Sequence, residues 1–143
     1  MEKKKKLQPR GIRNNNPLNI VKGSSWRGER PVQTDAKFEE FVSMEYGIRA
    51  ALILMRNHIT GFKGTRPKMN TIKKLISVWA PPTENNTNKY IDFVAAHVHM
   101  LPSSIIDPYD EALMCNIARA MAFMECGVWI EPEKFKAAWC LIL

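Results

Sequence analysis

The stretch Asp107–Trp129, DPYDEALMCNIARAMAFMECGVW, decides how the rest of the chain is read. Asp107 followed by Pro108 predicts a helix start: a capping side chain, then a proline where its missing N–H costs no hydrogen bond. Gly127 predicts the stop, because glycine accepts the left-handed conformation that ends many helices. Between them Leu113, Met114, Cys115, Ile117, Ala118, Ala120, Met121, Ala122, Phe123 and Met124 leave no broad polar face, which predicts a buried central helix over 108–126. Asn116 and Arg119 interrupt the apolar run, and it is too short to span a membrane.

The last turn of this helix carries one carboxyl, Glu125, between Met124 and Cys126 and just before Trp129. The C-terminal end of a helix bears partial negative charge, and apolar neighbours remove water. Both disfavour the carboxylate and raise its pKa, the device that keeps an acid protonated for general-acid chemistry near neutral pH. A helix end that reaches the surface and leaves Glu125 solvated fits the same residues.

The chain has 143 residues, enough for one domain with a real core; its 45% hydrophobic and 24% charged residues are those of a soluble globular protein. A net charge of +7 favours polyanionic partners such as nucleic acid, anionic wall polymer or an acidic membrane surface. Part of the excess is a run, Lys3–Lys6, that reads as a solvated arm over residues 1–10, followed by a single domain over 11–143. No apolar segment follows the lysines, so no signal peptide is expected and any export uses another route. Cys115, Cys126 and Cys140 form no CxxC pair, which argues against a disulfide framework or a zinc site. No metal or cofactor is expected.

Outward from the central helix, the spacing of apolar residues predicts about five helices and one or two short strands near 20–42, a mainly α fold of α+β type. Ser43 caps a helix with Ile48, Ala51, Leu52, Met55 and Ile59 on one face; Asn70 or Thr71 caps the next, which Pro81 and Pro82 end; Asn86 or Thr87 caps a helix over 88–100; and Pro132 opens an amphipathic last helix. Lys37–Phe41 is predicted as a strand. His97 and His99 stand two apart on a helix and point in different directions, so they read as surface residues. Residues 11–35 are rich in asparagine around Pro17, a turn signal, and their amides suit hydrogen bonds to sugar hydroxyls or to backbone.

Two sets of residues resemble known families. RGIRNNNPLNI (10–20), Trp26-x-Gly28, Asp35-x-x-Phe38-x-x-Phe41, Gly47-Ile48-Arg49-Ala50 and Trp79-Ala80-Pro81-Pro82-x-Glu84-Asn85-x-Thr87-x-x-Tyr90 resemble a family of small phage virion proteins, over most of residues 10–126. That family ends its last helix in Glu-Asn-Gly; Glu125-Cys126-Gly127 stands here, with a thiol in place of the amide. The second resemblance is to peptidoglycan glucosaminidases of the lysozyme superfamily, whose parts look the same in another order. Asn16-Pro17-Leu18-Asn19-Ile20 takes the place of their asparagine loop, Trp26-Arg27-Gly28 of the hairpin, Phe38-x-x-Phe41 of the strand and Asn86–Tyr90 of the tyrosine turn. The glutamate helix, first in those enzymes, comes last here, so the chain reads as a circularly permuted lysozyme-like domain.

The resemblance implies a peptidoglycan-cleaving glycosidase (muramidase, glucosaminidase or lytic transglycosylase) with Glu125 as general acid. Glycosidases usually use two carboxylates, and Glu84 is the candidate second one, although capping a helix or pairing with Arg13 would also explain it. Asn14, Asn16, Asn19, Thr87 and Tyr90 would bind sugar or orient Glu125. Trp26 and Tyr46 would stack on sugar faces or pack in the core. The implied partners are peptidoglycan strands and other virion or secretion-apparatus proteins, with no specific nucleic acid and no membrane. The implied place is the virion, or the periplasm and wall after synthesis in the cytoplasm. A non-catalytic virion or wall-binding module with the same fold is the rival, and the thiol at Cys126 favours it. Nucleic-acid binding through Lys22, Arg27, Lys73, Lys74 and the arm lacks an aromatic platform or a recognition helix.

Overall fold

Residues 8–81 and 86–142 are described by the computed structural model. Among them the chain forms six helices: α1 (Arg10–Arg13), α2 (Met44–Gly64), α3 (Ile72–Trp79), α4 (Thr87–His97), α5 (Glu111–Cys126) and α6 (Pro132–Cys140). Five are the expected ones. The sixth, α1, is a single turn that begins at Arg10, within the residues assigned to the arm; Lys3–Lys6 lie outside the described residues. Helical geometry in α2 ends before Gly61, where Gly61, Phe62 and Lys63 turn left-handed.

The caps explain the helix starts. Ser43 Oγ accepts from Tyr46 N, Thr71 Oγ1 from Lys74 N, and Asn86 Oδ1 from Lys89 N, each satisfying an amide that has no partner within its helix. The start of α5 differs from expectation. Asp107 Oδ1 accepts from Tyr109 N in a local turn, and Asp110 is the cap, its side chain accepting from Leu113 N at 3.1 Å. Two aspartates three apart compete for the same role, and the one nearer the apolar run wins. Likewise α4 stops at His97, because His99 is left-handed (φ 57°).

Helix α5 is the centre of the domain, packing against α1, α2, α4 and α6, while α3 lies on α4 and α6 on α2. Met114, Ile117, Ala118, Ala120, Met121 and Ala122 are fully enclosed there, and Leu18, Phe41, Ile48, Met55 and Leu75 complete the same core. Each large side chain of this kind contributes about 2 kcal/mol by leaving water.

The expected strands near 20–42 do not form. Val21 faces Phe38 and Glu29 faces Phe41 in isolated bridges, and among the described residues there is no sheet. The reason lies in the side chains. Asp35 Oδ1 takes the amides of Lys37 and Phe38, Glu40 Oε2 those of Thr34 and Asp35, and Asn16 Nδ2 the carbonyls of Ile20 and Glu39. Polar side chains hold the backbone groups that a ladder would have paired.

Two glycines seat this loop region on the helices. A Cβ on Gly47 would lie 1.7 Å from the Asn15 carbonyl oxygen, and one on Gly11 would lie 2.6 Å from Cys126 Sγ. The asparagine loop is thus pressed against α2 on one side and against the end of α5 on the other.

Candidate functional site

Each asparagine of the loop has a separate task. Asn15 and Asn19 are left-handed (φ 51° and 54°), a conformation asparagine tolerates better than most residues. Asn16 is fully enclosed; its Nδ2 donates to Ile20 and Glu39 carbonyls and its Oδ1 accepts from Ile20 N. Asn14, also buried, donates to Asp35 Oδ2 at 3.0 Å. Asp35 is in turn gripped by Arg10 through two bonds of 2.6 Å; this pairing, with the Phe38 amide, holds its carboxyl well below the ordinary range. Asn14 and Asn16 therefore hold the loop in shape and leave one amide, Asn19, to face outward.

Asn19 Nδ2 donates to Glu125 Oε1 at 3.1 Å. Glu125 is half-buried at the last turn of α5, and the two residues share a cleft of about 360 Å³ with Leu18, Val21, Lys37, Phe38 and Trp79. Burial pushes the Glu125 carboxyl above its ordinary range, and hydrogen bonds from Asn19 and Tyr90 partly oppose the rise. Tyr90 is buried beneath, its hydroxyl 3.4 Å from the Met121 carbonyl, and burial next to Glu125 raises its own pKa well above ordinary. Cys126 Sγ donates to the Pro17 carbonyl at 3.2 Å, and burial raises this thiol to about 11. A neutral thiol thus anchors the loop where an amide would stand in the resembling family.

Thr87, Tyr46 and Trp26, the remaining candidates among the described residues, lie apart from the cleft. Thr87 is buried and its hydroxyl donates to the Ala80 carbonyl at 2.7 Å, closing the connection between α3 and α4. Tyr46 is half-buried beneath Gly28 with the Arg27 guanidinium 5.7 Å from its ring centre, and Trp26 packs half-buried on the core. Glu84 lies outside the described residues. Glu45 is paired with Lys134, and Glu40 with Arg30 and the Thr34 and Asp35 amides. Glu125 is accordingly the carboxyl of the cleft among the described residues.

Reading the sequence missed the walls of the cleft, Leu18, Val21, Lys37, Phe38 and Trp79. The Trp79 indole N–H donates to the Leu18 carbonyl at 3.1 Å, tying α3 to the asparagine loop. Phe38 and Trp79 both stand in motifs that carry the resemblance to phage virion proteins, but nothing in their spacing marks them as walls of one cleft. The described residues contain no group of three His, Cys, Asp or Glu side chains placed to hold a metal ion, and no helix among them is long and apolar enough to cross a membrane.

Fold and site together define a mainly helical domain that presents one half-enclosed glutamic acid on an amide-bearing cleft. Over 90 residues, 60% of the chain, the sequence is 42% identical to Protein P5 of Pseudoalteromonas phage PM2. The match covers 53% of that relative, so the chain spans about half the length of the curated protein it resembles. No family model matches the chain.

Proposed function

We propose that this protein is a permuted lysozyme-like domain that cleaves glycosidic bonds of peptidoglycan, with Glu125 as the general acid. The supporting observation is the Glu125 carboxyl itself: half-buried on a cleft, with a raised pKa, and oriented by a hydrogen bond from Asn19. An acid in that state donates its proton to the leaving glycosidic oxygen as the bond to C1 breaks. With Glu125 the one carboxyl of the cleft among the described residues, a substrate-assisted route suits it. A hydroxyl or acetamido oxygen of the same sugar attacks C1, and where a hydroxyl attacks, the Glu125 carboxylate takes up its proton. Mass analysis of the muropeptides released from purified walls tests this. A 1,6-anhydro sugar marks lytic transglycosylation and a reducing end marks hydrolysis, while equal clearing by Glu125→Gln and wild type would remove the reading.

A second reading, a non-catalytic virion module on the same scaffold, is favoured by Cys126, whose thiol holds Pro17 where the resembling family has an amide. Likeness to a phage protein supports a place in the virion under either reading. Wild-type protein that binds walls but releases no muropeptide would decide for this second reading.

A further inference from the structure

We propose that Lys37 is a specificity-determining residue of the Glu125 cleft: it receives a carboxylate carried on the lactyl or peptide side arm of a peptidoglycan strand, so that the cleft takes anionic glycan in preference to a neutral N-acetylglucosamine polymer. The inference rests on the glycan-cleaving reading and names the substrate class of that same site.

Lys37 is exposed and shares the cleft lining with Glu125, Asn19 and Trp79. Its backbone is fixed from three directions. Lys37 N donates to Asp35 Oδ1 at 2.9 Å, its carbonyl accepts from Lys22 N at 3.0 Å, and Asp35 itself is clamped by Arg10. The ammonium lies 5.2 Å from the ring centre of Phe38, itself a wall of the cleft. Asp35 is taken by Arg10 and Asn14, and Lys37 enters no ion pair among the described residues. Glu125 is held by Asn19 rather than by this lysine. A cation on a fixed backbone, lining the same cleft as the reacting acid, is therefore free for a ligand's charge. Peptidoglycan supplies that charge on its peptide arms, or on the lactyl group where no peptide is attached, and neutral chitin-type polymers do not.

The test uses the Glu125→Gln protein, which retains the cleft without turning substrate over. Its affinity is measured for soluble peptide-bearing glycan strands and for a neutral chito-oligosaccharide, with and without Lys37→Gln or Lys37→Arg. One partly exposed charge pair corresponds to a loss of about threefold to fivefold. The expected result is that Lys37→Gln lowers the preference for strands over chito-oligosaccharide by that factor and flattens its salt dependence, and that Lys37→Arg restores both. An unchanged preference, or equal weakening toward both ligands, overturns the inference and leaves the role of Glu125 standing. Absence of binding to either ligand, together with wild-type protein that releases no muropeptide, overturns both.

Discussion

Asn19 Nδ2 lies 3.1 Å from Glu125 Oε1, a hydrogen bond between positions 106 residues apart. One partner is a left-handed residue in a loop shaped by its neighbours' amides; the other ends the central helix. The ionisation of Glu125 is set where they meet. Burial favours the neutral acid, and the amide favours the carboxylate.

Removing the amide tips that balance. Asn19→Gly keeps the left-handed backbone at little steric cost and deletes the donor. The Glu125 pKa is then expected to move further up, and with it the alkaline limb of the pH–activity profile, because the general acid must be protonated. A carbon-13 NMR titration of the Glu125 carboxyl reads the shift directly. A downward shift would mean that Asn19 does not favour the ionised form.

Glu125→Gln is expected to lower activity by roughly 10²–10⁴-fold while raising stability at neutral pH. The folded-state pKa is above the unfolded one, so as pH rises the unfolded chain loses this proton first, and stability falls through the window between the two values. Below that window Glu125 is neutral in both states and contributes no penalty. Urea melts across pH should show the variant gaining on wild type only as pH rises through the window. A gap that widens toward low pH would contradict the raised pKa.

Gly47→Ala tests the seat of the loop. Its Cβ would meet the Asn15 carbonyl oxygen at 1.7 Å, which backbone must move to relieve. A loss of about 3 kcal/mol is expected from overpacking at so rigid a contact. Thermal or urea denaturation measures it, and a loss under about 0.5 kcal/mol, the range of ordinary surface changes, would show that α2 does not press on the loop.

The helices were legible because their signals are local: apolar spacing gave the faces, and Ser43, Thr71 and Pro132 marked starts that stand where expected. Asp107 misled because Asp110 offers the same chemistry three residues later. The strand expected at 37–41 misled because nearby Asp35 takes the amides of Lys37 and Phe38, and distant Asn16 takes the Glu39 carbonyl. Glu125 could be singled out from its position at a helix end, and Asn19 from a resemblance. The walls at Phe38 and Trp79 could not, because a cleft is made by which half-buried residues meet across the fold, and sequence spacing holds no term for that.

The thiols give an independent check on the packing behind Glu125. Cys126 is buried against Pro17, Cys115 is half-buried, and burial holds each near 11, whereas Cys140 is exposed. Thiolate is the reactive form, so one thiol, Cys140, should react quickly with a disulfide reagent in the native protein, and all three in denaturant. Mass mapping of the labelled residue checks the assignment. Rapid labelling of Cys126 would show that the loop does not cover the end of α5.

Asp35 should govern the acid limb of stability. Arg10, two backbone amides and Asn14 all favour its carboxylate, so its folded pKa lies below the unfolded value of about 3.9. A depressed pKa contributes stability that is fully present above the unfolded value and is lost as pH falls through the folded one. Arg10 keeps its charge throughout, so the titrating partner is the carboxylate. Asp35→Asn should therefore be less stable than wild type by a constant amount above about pH 5. The gap should narrow below about pH 4, where the unfolded chain takes up a proton that the folded, clamped carboxylate still refuses. Urea melts of both proteins over an acid pH series measure the difference, and a gap that stays constant to the lowest pH at which wild type remains folded would place the stabilisation in packing rather than in the Arg10–Asp35 charge pair.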